Sequence, residues 1–68
     1  MWHVKHKHNQ DDYYDIFLDE EADEWVCYAS PDKCYAPYYE TQEAAQKDID
    51  NLGEVGVFLV PVFEQEEN

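Results

Sequence analysis

Arginine is absent from this 68-residue chain, and four lysines stand against 17 aspartates and glutamates, leaving a formal net charge of −13. A surface with that imbalance repels nucleic acid and anionic membrane and attracts basic partners. Glycine is nearly absent too. With Gly53 and Gly56 alone, the sequence holds neither a GxGxxG nor a phosphate-loop pattern. Two cysteines, Cys27 and Cys34, are too few for a disulfide scaffold, although a bridge closing their loop would add roughly 2.5 kcal/mol under oxidising conditions. Long hydrophobic runs are also missing. The longest, residues 55–63, is interrupted by Gly56 and Pro61 and falls far short of the roughly 20 residues of a membrane-spanning helix. Behind Met1 stand Trp2 and a Lys/His cluster rather than the apolar stretch of a signal peptide, so the expectation is a soluble, cytoplasmic protein.

What is present argues for a folded chain. Hydrophobic residues make up 44% and aromatics 16%, more than a disordered acidic segment carries. The length allows one domain, residues 1–68, with residues 64–68 expected to fray as an acidic tail. Ordering it costs on the order of 100 kcal/mol at about 1.5 kcal/mol per residue, so nearly every large apolar side chain must join a single core. That leaves little room for a spacious enclosed active site.

Alternation organises the first half. Trp2, Val4, His6 and His8 fall on one side of a first strand, with His3, Lys5 and Lys7 on the other. From Tyr13 the pattern resumes, with Tyr14, Ile16 and Leu18 opposed to Tyr13, Asp15, Phe17 and Asp19. A third strand follows over residues 24–30. If residues 20–23 form a four-residue hairpin loop, Asp19 pairs with Glu24, Leu18 with Trp25, Ile16 with Cys27 and Tyr14 with Ala29, which gathers six core candidates on one face.

Pro31 and Pro37 then mark an irregular, Tyr-rich connection. Thr41 offers an N-cap hydroxyl, Ala45, Ile49 and Leu52 recur at helical spacing, and Gly53 suits a left-handed C-terminal cap. These predict a helix over residues 41–52 and a last strand over residues 54–60, with Pro61 at an edge or bulge. The expected class is α+β: a small antiparallel sheet of about four strands in β-β-β-α-β order, with one helix packed on one face. Its expected core is Trp2, Val4, Tyr14, Ile16, Leu18, Trp25, Cys27, Ala45, Ile49, Leu52, Val57 and Leu59.

The most unusual segment is acidic. Asp11, Asp12, Asp15, Asp19, Glu20, Glu21, Asp23 and Glu24 place eight carboxylates in fourteen residues with no cation among them. Exposed acids often do no more than keep a protein soluble, but three features point further. The core-forming register sets Asp19 opposite Glu24, and like charges across a ladder are destabilising. The loop lacks the Gly or Asn that a stable tight turn favours. Phe17 lies among the acids with Tyr13 and Tyr28 near it, so apolar anchors stand inside an anionic field, as suits a protein interface. Residues i and i+2 of a strand are roughly 6.6 Å apart, on the scale of neighbouring phosphates, and Asp11, Asp15 and Asp19 take every second such step, with Tyr13 and Phe17 between them, as a broken line of charge.

In size, charge and clustered carboxylates the chain resembles, in kind, small acidic phage and mobile-element proteins that mimic DNA, including anti-restriction, uracil-glycosylase-inhibitor and anti-CRISPR proteins. The resemblance implies a stoichiometric, non-catalytic inhibitor that fills the basic nucleic-acid-binding or PAM-reading groove of a host protein, such as a CRISPR effector. It implies no direct binding to nucleic acid or membrane, and the host cytoplasm as its location. The residues it would use are Asp11, Asp12, Tyr13, Asp15, Phe17, Asp19, Glu20, Glu21, Asp23 and Glu24.

Other chemistry is less well supported. His3, His6, His8, Cys27 and Cys34 are zinc-ligand types, but their spacing matches no standard knuckle, so no metal or cofactor is expected. Acid pairs such as Asp15 and Asp19, or Cys27 with a histidine, come without an oxyanion nest or phosphate loop, so no enzyme is expected. The competing reading is a small acidic structural protein, a homodimer joined through the apolar C-terminal strand.

Overall fold

The computed structural model describes residues 1–65. In chain order it contains β1 (Trp2–His6), β2 (Tyr13–Asp19), β3 (Glu24–Ser30), α1 (Gln42–Asn51) and β4 (Leu59–Phe63), with 3-10 stretches at Lys33–Tyr35 and Gly53–Phe58. This is the α+β domain in β-β-β-α-β order. The four strands divide into two antiparallel pairs, β1–β4 and β2–β3. β1 and β2 pack together without a shared ladder, and α1 packs across β4, β1 and β2. No helix among the described residues is long and apolar enough to cross a membrane.

The helix forms for the reasons its sequence supplies. Thr41 Oγ1 accepts the Ala44 N–H at 3.1 Å, satisfying one of the orphan donors of the first turn. Gly53 ends it at φ +63, a conformation that costs glycine nothing. Ala45 and Ile49 are buried against Val4, Ile16 and Leu59, with Trp2, Tyr14, Cys27, Tyr39 and Leu52 packed around that cluster.

The last strand starts later than residues 54–60 would have it. Gly53–Phe58 is a 3-10 stretch pressed against α1, so Val57 is exposed rather than in the core. Gly56 allows that approach: a Cβ there would clash with the carbonyl oxygen of Ile49. β4 then pairs with β1 in the register Val4 with Pro61 and His6 with Leu59. Met1 and Glu64 exchange both backbone hydrogen bonds at 2.8 Å, and Lys7 N–H donates to Phe58. Hydrogen-bonded pairs alternate in an antiparallel ladder, so Pro61 falls at a non-hydrogen-bonded position and its missing N–H costs β1 nothing. On its other side β1 bridges to Tyr39 through Trp2.

The hairpin has the expected register throughout: Tyr14 opposite Ala29, Ile16 opposite Cys27, Leu18 opposite Trp25, Asp19 opposite Glu24. Ile16 is buried and Phe17 is exposed, so the faces are as expected. The core is shorter than the hairpin, however. Leu18 and Trp25, two residues along from buried Ile16 on the same face, are 40% and 38% exposed. A ten-residue helix spans only about 15 Å, whereas a seven-residue strand spans roughly 23 Å. The distal half of β2–β3 therefore projects past the core.

Its loop explains how a turn without glycine closes. Asp19 Oδ1 accepts the N–H groups of Glu21 and Ala22, at 3.1 and 3.3 Å. Asp23 takes φ +53, in the left-handed region. Aspartate tolerates that region better than most residues, but glycine holds it without steric cost. Asp23→Gly is therefore expected to stabilise the protein by about 0.5–1 kcal/mol, raising the melting midpoint by roughly 2–8 °C, readable by thermal circular dichroism. An unchanged or lower midpoint would mean that the aspartate carboxylate supports the loop in its own right.

Candidate interaction hairpin

Two clusters of polar side chains depart from an ordinary surface. One is the projecting hairpin. The other is a buried clasp at the hairpin's base, on the face of β1 opposite Val4.

The clasp was not legible as such. His3 and Lys5, on the side of β1 away from the main core, are only 2% and 7% exposed. Glu64, expected in a fraying tail, holds them there; residues 66–68 lie outside the described residues. Lys5 Nζ donates to Glu64 Oε2 at 2.8 Å and to the Gln10 carbonyl at 3.0 Å. The Tyr13 hydroxyl donates to Glu64 Oε1 at 2.8 Å, and His3 Nε2 stands 4.0 Å from the same oxygen. Lys5 Nζ also sits 4.3 Å above the Tyr13 ring, whose edge contacts His3. Burial alone would lower the Lys5 pKa, but the hydrogen bond and charge of Glu64 outweigh it and the value is raised. Burial would likewise raise Glu64, yet the Lys5 and Tyr13 hydrogen bonds outweigh it and the value is lowered. Tyr13 is raised chiefly because its hydroxyl donates to Glu64. A similar pair braces the core: Tyr39, whose hydroxyl donates to Asp48 at 2.8 Å, is raised by burial first and then by that bond, with a smaller part from Asp15.

The ten residues singled out in the sequence do not form one patch. Asp11 and Asp12 lie in the turn before β2, where the Asp11 N–H donates to Asn9 Oδ1 at 3.1 Å. Tyr13 is committed to the clasp. Asp15 is half-buried near Tyr39, and Asp19 is half-buried and engaged with its loop amides. Glu20, Glu21, Asp23 and Glu24 are exposed and cap the tip. Phe17, 41% exposed, stacks on Tyr28, 62% exposed, with ring centroids 5.6 Å apart and planes 22° from parallel. On the opposite face stand Leu18 and Trp25. Sequence reasoning assigned these two to the core; the signal that would have found them is the mismatch between seven-residue strands and a ten-residue helix.

The zinc-ligand types are dispersed. His3 joins the clasp, while His6 stacks on Phe58 at 6.0 Å and accepts the His8 N–H at Nδ1. Cys27 and Cys34 are not bridged to each other, and burial pushes Cys27 up, away from the reactive thiolate. Among the described residues no three His, Cys, Asp or Glu side chains gather as a metal site would require. A shallow cleft of about 320 Å³ runs between the end of α1 and the 3-10 stretch, lined by Gln46, Ile49, Asp50, Val57 and Leu59. Its one carboxylate, Asp50, accepts from Gln46 at 2.9 Å. No family model matches the chain, and neither a curated protein nor a solved structure matches it.

Proposed function

We propose that the protein is a non-catalytic inhibitor that mimics DNA, presenting the projecting hairpin to the basic groove of a nucleic-acid-binding host protein. The observation that carries this reading is the hairpin tip: Glu20, Glu21, Asp23 and Glu24 exposed on an arm that extends beyond the core, with the Phe17–Tyr28 stack behind them. Carboxylates supply the charge that a groove built for a polyanion expects, one negative charge per roughly 1.7 Å of duplex axis. The aromatic pair supplies contact area that phosphates lack. CRISPR effectors, which hold nucleic acid in positively charged channels and read a PAM with paired arginines, are one target class with the required surface. The alternative of an acidic homodimer draws on exposed Val55, Val57, Phe58 and Phe63 near the C-terminus. The long arm has no part in that alternative.

Competition tests the reading. The immobilised protein is expected to capture a nucleic-acid-binding protein from host lysate, and duplex or single-stranded DNA is expected to displace it. A ternary complex that holds DNA and this protein together at undiminished affinity would sink the mimic.

A further inference from the structure

We infer that the outer edge of β3 is a docking edge for an extended basic segment of the partner, which adds to the hairpin as a third strand. The inference deepens the inhibitor reading, on which it rests, by naming the element of the partner that is gripped.

The argument starts from backbone groups. Every second residue of a strand turns its N–H and C=O to each side, and an edge strand leaves one set open to another chain. Four strands in two pairs leave several such edges. β1 is bridged on its second side by Tyr39, and β2 lies against β1. That leaves the outer edges of β3 and β4. β4 carries Pro61 with its absent N–H turned outward, which blunts it as a template. β3 is the opposite case. Over seven residues, Glu24–Ser30, it contains no proline, glycine or lysine, and among the described residues it is laddered to β2 alone. Its Trp25, Val26 and Tyr28 are residue types that favour strands. Trp25 points to one face and Tyr28 to the other, and both are exposed. An added strand would find an aromatic wall for its alternate side chains on each face.

Charge selects the occupant. A second copy would bring a net charge of −13 against −13, and no cation stands between Asp11 and Glu24 to offset it. A segment rich in lysine or arginine meets an edge that starts at Glu24, beside Asp23 and opposite Asp19.

The probe is an acetylated, amidated octapeptide alternating lysine and valine, compared with the same peptide N-methylated at alternate residues in either register. Methylation removes ladder donors and leaves the charge unchanged. Amide exchange and chemical shifts of the labelled protein should show protection confined to β3, and the N-methylated peptide blocking the ladder should bind at least 10-fold more weakly. Equal binding of all peptides, no binding, or shifts centred on α1 or β4 would overturn the inference. So would concentration-dependent dimers whose formation protects the β3 amides from exchange in the absence of peptide. The two readings fail separately: loss of the peptide effect with DNA competition intact removes the docking edge alone, whereas an N-methyl-sensitive edge with no DNA competition removes the mimic alone.

Discussion

Glu64→Leu is expected to lower the melting midpoint by roughly 10–20 °C, the largest stability loss for a single residue outside the main core. Leucine leaves the Lys5 ammonium buried without its counter-charge and removes the acceptor of the Tyr13 hydroxyl. Breaking a buried ion pair from one side costs about 3–5 kcal/mol. The Glu64 side chain is 28% exposed, so water screens part of the interaction and about 2–3 kcal/mol is the better figure. In a domain of this size each kcal/mol moves the midpoint by about 4–8 °C. The sign of the pH dependence follows from the shifts. A lowered carboxylate contributes stability above the ordinary carboxylate range and loses it as pH falls through the folded-state value. Lys5 is raised, so its share is present below the ordinary lysine value and lost only as pH rises through the folded one. The wild-type advantage over the variant should thus be flat from about pH 5 to 9 and shrink below about pH 4. An advantage that persists undiminished at pH 3 would show that Glu64 acts through packing rather than charge.

The same residue shows what the sequence could and could not say. Short-range pattern set most of the fold: period-2 alternation fixed the hairpin register down to Asp19 opposite Glu24, and Thr41, Ala45, Ile49 and Gly53 delimited α1. Glu64 carries no such pattern. It lies 59 residues from Lys5, and only the return of β4 beside β1 brings the two together, a choice between the first and second strands that no local signal makes. Leu18 and Trp25 failed for a related reason. Alternation tells which face a side chain occupies but not how far along that face the covering helix reaches. Val57 failed because a run of Val, Phe and Leu reads as strand by composition, while the close approach of Gly56 to Ile49 bends residues 53–58 into a 3-10 stretch first. At the candidate site the sequence located the acids but not their division of labour. Asp19 builds the turn, Tyr13 closes the clasp, and the freely presented charge is at the tip.

That division decides how the inhibitor reading is best tested by mutation. Reversing Asp19 would remove the acceptor of two loop amides, so a loss of binding would be confounded with a loss of the turn. Reversal of Glu20, Glu21 and Glu24 to lysine avoids this, because all three side chains are exposed and none of their positions requires a positive φ. The triple variant is expected to bind the DNA-displaceable partner at least about 100-fold more weakly at physiological salt, with most of the change in the association rate, as loss of steering requires. Its stability should not fall. Lysine at position 24 would face Asp19 across the ladder and replace a like-charged pair with an opposite one, worth a few tenths to about 1 kcal/mol in favour of the fold. A variant that is more stable and inactive at once would locate the cost of those acids in function. The control carries the same total charge change elsewhere: Glu40, Glu43 and Glu54, all exposed and away from the hairpin, reversed to lysine. If both triple variants lose binding equally, net charge alone attracts the partner and the arm has no special part. If only the hairpin variant loses it, the projecting tip is where the partner reads the mimic.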